Sequence, residues 1–181
     1  MDREKEREII EKVLQGKTAY FEELVDSSKR QIFSLLYRMS LDPGVAEEIA
    51  QDSFLKAYQN LATFKGESSF STWVYQIAYR KALDFLRKKK PVQMEVEHIP
   101  EMDESQPLSN YDWVEPLLKQ MTEKDRALLH LFYFEDMSLK EMSEILKMSI
   151  SALKVALMRS RKKFKKLAEP WMEKTNSEMH L

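Results

Sequence analysis

An all-α fold of two small helical domains, joined by an acidic flexible linker and ending in a helix-turn-helix, follows from three observations. Only three of the 181 residues are glycine and helix formers dominate, which leaves little room for tight hairpins or a phosphate-cradling glycine loop. From Pro91 to about Asn110 the chain holds three prolines and five acids, with no Lys or Arg and no sustained period; such a stretch reads as a linker long enough to let two domains act apart. From Ser138 to Leu167 the sequence SLKEMSEILKMSISALKVALMRSRKKFKKL lays out a short helix, a tight turn and a longer basic helix. The boundaries expected are a first domain over 1–90, a linker over 91–110, a second domain over 111–169 and a tail over 170–181.

The elements follow in order. A first helix runs from about Arg3 to Gln15. A second, from about Thr18 to Ser40, carries Tyr20, Phe21, Leu24, Ile32, Phe33, Leu36 and Tyr37 as its apolar stripe. Asp42, Pro43 and Gly44 break the chain, and Asp42 can cap a third helix, about Val45 to Phe64, in which Ala46, Ile49, Ala50, Phe54, Ala57, Tyr58 and Leu61 face inward. After a loop from Lys65 to Ser69, a fourth helix runs from about Phe70 to Lys90, where Pro91 ends it. Beyond the linker, Trp113 to Gln120 and Glu123 to Phe134 precede the helix pair. Each half has enough apolar positions for a small bundle of its own.

In the helix pair, Leu139, Met142, Ile145 and Leu146 give the first helix one face to bury, and Met148 with Ser149 forms the turn. In the second helix Ile150, Leu153, Leu157, Phe164 and Leu167 make the packing face, leaving Ser151, Lys154, Met158, Arg161 and Lys165 on the other side. Between Lys154 and Lys166 stand seven basic residues and no acid. A solvated face ordinarily mixes signs, whereas unneutralised charge at this density repels itself unless phosphates are near. This pattern points to duplex DNA.

The net charge of −1 hides this sorting. Arg80, Lys81 and Arg87 to Lys90 form a second basic cluster opposed only by Asp84, while acidic pairs such as Glu22 with Glu23 and Glu47 with Glu48 lie in the first fifty residues. Separate basic and acidic faces can engage nucleic acid and a basic protein partner together. Phe70, Trp73, Tyr75 and Tyr79 crowd the start of the fourth helix before it turns basic, and rings interleaved with cations suit a single strand. Phe70, Trp73 and Ile77 fall on one stripe and are expected in the core; Tyr75, Tyr79 and Arg80 lie off it and are the expected contacts.

Other classes fit less well. With no cysteine there are no disulfides, thiolate nucleophiles or common zinc-finger ligand sets. His98, His130 and His180 are scattered without partners, so no enzyme, metal or cofactor is expected. No apolar run approaches a membrane span, and the N-terminus MDREKEREII is too charged for a signal peptide; a cytoplasmic protein is expected. A helix-turn-helix repressor or activator remains a competing class. It would bind duplex operator alone as a dimer on paired half-sites.

Taken together, Ala46 to Lys90 (AEEIAQDSFLKAYQNLATFKGESSFSTWVYQIAYRKALDFLRKKK) and Met121 to Leu167 (MTEKDRALLHLFYFEDMSLKEMSEILKMSISALKVALMRSRKKFKKL) resemble the second and fourth conserved regions of extracytoplasmic-function (ECF) sigma factors, specificity subunits of bacterial RNA polymerase. The order of the regions, the length of the joint and the W-x-Y-x-I-A pattern at Trp73, Tyr75, Ile77 and Ala78 carry the likeness. The resemblance implies a non-enzymatic protein with promoter DNA and core RNA polymerase as partners, docking on the largest-subunit coiled coil and on the flap. It also implies an anti-sigma factor, often membrane-anchored in this family, which would hold the chain at the inner face of the membrane.

The resemblance further implies docking through Glu47, Glu48, Gln51 and Asp52. It places capture of the minus-ten strand on Lys56, Phe64, Lys65, Ser68, Ser69, Tyr75 and Arg80. Reading of the minus-thirty-five duplex falls on Ser151, Ala152, Lys154, Val155, Arg159 and Arg161, with Lys162 and its neighbours on phosphate. The chain departs from the family pattern at Lys147, where glycine is frequent in the turn, at Ser151-Ala152-Leu153, at Val155 and Ala156, and at Arg80, where Asn is frequent. Fewer hydrogen-bonding groups then face the bases.

Overall fold

The computed structural model describes residues 2–89 and 114–178. The expected linker, Trp113, His98 and His180 lie outside the described residues. In chain order the described helices are α1 (Arg3–Leu14), α2 (Phe21–Asp26), α3 (Lys29–Ser40), α4 (Pro43–Gln59), α5 (Phe70–Lys89), α6 (Val114–Lys119), α7 (Glu123–Tyr133), α8 (Leu139–Leu146) and α9 (Ile150–Glu178), with single 3-10 turns at Thr18–Tyr20 and Leu61–Thr63. No strand occurs among the described residues, so the expected all-α class holds. The chain from α9 continues through Pro170, past the expected domain end at residue 169.

The single helix expected over Thr18 to Ser40 is instead a 3-10 turn and two helices. At the break, the Ser27 and Ser28 hydroxyls both donate to the Leu24 carbonyl, at 2.8 and 3.2 Å. Serine hydroxyls offer the backbone this local alternative to a helical ladder. The third helix also stops earlier than expected, at Gln59, because the Asn60 side-chain amide donates to the Lys56 carbonyl at 2.7 Å and the chain tightens into a 3-10 turn.

Starts are set by side chains. Asp42 caps α4, accepting from the Val45 N–H at 3.0 Å, with Pro43 in the first turn. The start of α5 draws on two residues: the Ser69 hydroxyl accepts from the Thr72 N–H at 3.1 Å, and Glu6, on α1, accepts from the Phe70 N–H at 2.8 Å. Glu6 is buried, and desolvation raises its carboxyl above the ordinary range against the lowering pull of that hydrogen bond. Ser138 and Glu141 form a reciprocal capping box on α8.

Between α8 and α9, Lys147 takes the left-handed conformation at φ 54°. The Ser143 hydroxyl donates to the Met148 carbonyl at 2.6 Å and holds the turn closed. A residue with a Cβ is disfavoured there by roughly 1 kcal/mol. Lys147→Gly is therefore expected to stabilise the helix-turn-helix by about 0.5–1 kcal/mol in urea denaturation; a loss of stability would mean that the lysine stem contributes packing that outweighs the backbone term.

The two halves share a seam. Helix α3 packs on α4, α5 and α7, while α5 packs on α4 and α8; within the second half α7 and α8 pack on α9. Phe70, Leu24, Ile32, Leu35, Leu36, Met39 and Leu61 fill the first half, and Leu131, Met142, Ile145 and Leu153 the second. The Arg126 guanidinium, on α7, crosses the seam. It donates to the Arg38 carbonyl at 2.8 Å and to the Met39 carbonyl at the end of α3, and also to the Leu118 and Met121 carbonyls at 3.0 and 2.6 Å. The Arg38 and Met39 carbonyls sit where α3 runs out of backbone donors. The Leu118 carbonyl also accepts from the Met121 N–H at 3.0 Å, and the Met121 carbonyl lies in the loop before α7, so one planar fork serves four acceptors.

Candidate nucleic-acid interface

Helix α9 is fixed by its inner face and by one polar tie. Leu153, Leu157 and Ala168 are buried, as is Ser160, whose hydroxyl donates to Asp125 on α7 at 2.5 Å. Burial pushes the Asp125 carboxyl up, but hydrogen bonds from Ser160 and Thr122 and the nearby Lys163 outweigh it and hold the group below its ordinary value. The first turn of α9 is capped by Ser149, whose hydroxyl accepts from the Ala152 N–H at 3.2 Å. A helix locked on one side in this way presents the other side at fixed register.

Ser151, Ala152, Lys154, Val155, Arg159, Arg161 and Lys162 all lie exposed on α9. The structure therefore brings together every residue expected to contact the upstream duplex. Arg161 rests over the Tyr133 ring at 5.9 Å, and Lys163 stands 3.5 Å from Asp125. Lys154, Arg159, Lys162, Lys165 and Lys166 have no ion-pair partner among the described residues. Among the described residues their charge is uncompensated, which favours binding to phosphate.

The candidate strand-binding residues are divided. Lys56, Lys65 and Arg80 are exposed, and Phe64, half-buried, leans on Trp73 and Phe70 with ring centroids 5.2 and 6.3 Å away. Ser68 and Ser69 are partly exposed, but the Ser69 hydroxyl is occupied as the cap of α5. Tyr75 is 2% exposed and Tyr79 is also buried, whereas Trp73 and Ile77 are only partly buried. The expectation holds for Phe70, which is fully buried, and for Arg80, which is exposed, but it is reversed for Trp73 against Tyr75 and Tyr79. The reason is tertiary: α5 is covered by α3 and α4 on one side and by α8 on another, so rings off the first stripe are buried by the second domain.

The seam around Tyr75 carries groups that the sequence pattern did not single out. The Tyr75 hydroxyl faces Glu135, and burial together with that carboxylate raises the phenol well above its ordinary value. Glu135 Oε1 lies 3.2 Å from His130 Nε2. Neither the Tyr75 hydroxyl nor either His130 nitrogen has a well-aligned hydrogen bond. His130 and Glu135, with Arg30, Gln31, Ser34, Arg38 and Phe134, line a cleft of about 350 Å³, in which the Arg38 guanidinium lies over the Phe134 ring at 5.6 Å.

Burial, helped by the Arg38 charge, lowers His130 from 6.5 to about 4. The unfolded chain therefore binds the extra proton between about pH 6.5 and 4, and the stability present above pH 6.5 is lost as pH falls through that window. Full protonation would cost on the order of 3 kcal/mol, offset in part by Glu135, which burial raises and which protonates more readily in the folded state. Urea denaturation at pH 7 and pH 4.5 is expected to show this slope, and His130→Leu to flatten it; an unchanged slope in that variant would assign the acid sensitivity elsewhere.

The exposed carboxylates Glu47, Glu48 and Asp52, with Gln51, line one side of α4. The Lys81 ammonium, on α5, holds Asp52 at 2.7 Å, and the Gln51 amide donates to Glu47 at 3.4 Å. At the far end of the same helix Leu55 and Tyr58 stay exposed beside Phe21 and Val25. An acidic strip grading into an apolar one is a surface suited to a basic, partly apolar protein.

Comparison with known proteins agrees with this arrangement. Residues 24–92 match the sigma-70 region 2 family and residues 111–164 the sigma-70 region 4 family. The chain is 30% identical over 174 residues to the ECF RNA polymerase sigma factor SigW of Bacillus subtilis, covering 87% of this chain and 93% of that protein. It is 26% identical to the RNA polymerase sigma-H factor of Pseudomonas aeruginosa, covering 94% and 97%. Among solved structures the fold is similar to CnrH in complex with the cytosolic domain of CnrY, with a TM-score of 0.70 at 18% identity over 93% of this chain and 99% of that one. The sigma factor RpoE of Bartonella quintana, solved with the anti-sigma factor NepR, gives a TM-score of 0.65 at 18% identity over 82% and 96%. A region 2 match followed by a region 4 match, and a full-length relative at 30% identity, make this chain a member of the ECF sigma factors of the sigma-70 family.

Proposed function

We propose that this chain binds core RNA polymerase and, within that complex, recognises minus-thirty-five and minus-ten promoter elements and promotes strand opening. The observation that carries the reading is the uncompensated cationic face of α9 behind a helix-turn-helix, set in one chain with a region 2 domain. In this reading α9 lies in the major groove of the upstream duplex, and Lys56, Phe64, Lys65, Ser68, Arg80 and, once uncovered, Tyr75 hold the displaced strand. Docking falls on Glu47, Glu48, Gln51 and Asp52 against the coiled coil of the largest subunit, with the second domain meeting the flap. The chain performs no covalent chemistry; binding energy offsets the few kcal/mol of unstacking that opening requires.

Because Tyr75 and Tyr79 are buried beneath the second domain, strand capture by this part of α5 requires α7 and α8 to leave it. The arrangement described above is then that of the chain away from promoter. An anti-sigma factor, like the NepR present in the complex of the RpoE relative, is a natural partner for a chain with exposed docking carboxylates. Among the described residues no helix is long and apolar enough to cross a membrane, and a cytoplasmic place of action fits this role. Run-off transcription with purified core polymerase over a genomic promoter library tests the proposal. Promoter-specific transcripts that depend on this chain are expected. Their absence, with tight duplex binding by the chain alone, would instead favour a conventional repressor.

A further inference from the structure

The outermost line of α9 is apolar through its middle and carries a cation only at Lys162, one turn beyond. At about 100° per residue, Ser151, Val155, Met158 and Lys162 project opposite the buried Leu153, Leu157 and Ser160. Lys154, Arg161 and Lys165 fall on one flank of this line, and Arg159 and Lys166 on the other. Val155 is 44% and Met158 62% exposed. Large apolar side chains at the crest of a helix, between two rails of cations, are costly to leave in water and ask for an apolar partner between phosphates.

A helix in the major groove sets its flanks against the two backbones and its crest against base edges. Neither valine nor the methionine thioether can satisfy a base amino group, N7 or O6 in the way Arg, Asn or Gln does. The one apolar group displayed in that groove is the C5 methyl of thymine. We infer that Val155 and Met158 form a base-reading ridge that recognises thymine methyl groups in the upstream duplex, with Ser151 supplying a hydroxyl at its start. The inference rests on the proposed promoter reading and names how that surface discriminates. The unbranched, polarizable methionine reaches farther and tolerates more than one base step, while the branched valine is stiff at χ1 and restricts its own.

The test uses holoenzyme formed from core polymerase and the full chain. Duplexes randomised over the upstream element and selected by run-off transcription define the preferred sequence, which is expected to contain thymine on at least one strand beneath the ridge. Each such thymine is then replaced by deoxyuridine, which lacks only the methyl. Loss of one buried methyl should weaken holoenzyme binding about fourfold, and in V155A and M158A the ratio of thymine to uracil affinity should fall toward one at different positions. A selected element without thymine, equal affinity for thymine and uracil throughout, or a ratio unchanged in the double variant would overturn the ridge. Thymine-independent loss of binding in those variants would assign the crest to a protein contact instead. Failure to obtain any chain-dependent promoter transcript is a separate result that removes the promoter reading as well.

Discussion

Arg126→Ala is expected to lower stability by about 2–4 kcal/mol and to loosen the seam between the two domains. The guanidinium supplies four carbonyls at once: those of Arg38 and Met39 at the end of α3, and those of Leu118 and Met121 before α7. Helix ends leave such carbonyls without intrahelical donors, and a cation there also meets the negative end of the helix dipole. Removing the side chain leaves several acceptors partly buried without a donor, which costs more than the hydrogen bonds themselves contributed. Arg126→Lys should recover only part of the loss, because a compact ammonium cannot span four divergent oxygens. Arg126→Met keeps most of the stem and separates packing from hydrogen bonding.

Equilibrium urea denaturation measures the first effect, and amide hydrogen exchange measures the second. Faster exchange is expected in the last turn of α3 and along α5 around Tyr75, because both are shielded at the same seam. A variant within 0.5 kcal/mol of the parent, with exchange unchanged in both places, would show that the clamp contributes nothing to holding the halves together. The polar cluster of His130, Glu135 and Tyr75 lies at the same seam with poorly satisfied atoms. The seam thus combines one well-satisfied polar clamp with a polar cluster that destabilises it, which is a suitable balance for an interface that the proposed function needs to open.

The elements were legible in the sequence wherever the controlling interaction is local. Asp42 before Pro43 announces the start of α4, Ser138 with Glu141 announces α8, and the apolar spacing of Met142, Ile145, Leu153 and Leu157 gives the helix-turn-helix packing. The outward face of α9 was equally readable, since nothing distant covers it. Long-range effects were not. Glu6 capping α5 joins residues 64 apart in the chain, and Arg126 reaches carbonyls 87 and 88 residues away; no spacing within either helix encodes such a pairing. The periodicity of α5 identifies only its stripe against the first domain and so sets Tyr75 and Tyr79 outward, whereas a second domain buries them. The break at Ser27 and Ser28 is hidden in the sequence for a different reason. The apolar stripe continues through it, and only the hydroxyl bonds to Leu24 reveal the interruption.

Replacing Lys162, Lys163, Lys165 and Lys166 by alanine is expected to weaken holoenzyme binding to promoter at every sequence. If all four meet phosphate, the slope of log affinity against log salt should flatten by about 3–4, corresponding to a loss on the order of 10³-fold at 0.1 M salt. The fold should tolerate the change: the four side chains are exposed, their removal relieves like-charge repulsion, and Asp125 keeps its hydrogen bonds from Ser160 and Thr122 after Lys163 is gone. Lys154→Ala and Arg159→Ala flank the apolar crest earlier on α9, where side chains reach base edges. Their loss should be smaller, about 1–3 kcal/mol, and should fall on particular base pairs. Filter binding of holoenzyme to promoter and to shuffled duplex over a salt series separates the two sets. Equal losses on both duplexes for both sets would reduce α9 to a phosphate clamp. A base-dependent loss in the quadruple variant would move reading toward the C-terminal half of the helix. Opposite patterns in the two sets would mean that affinity and discrimination reside in different stretches of one helix, so either can change without remaking the other.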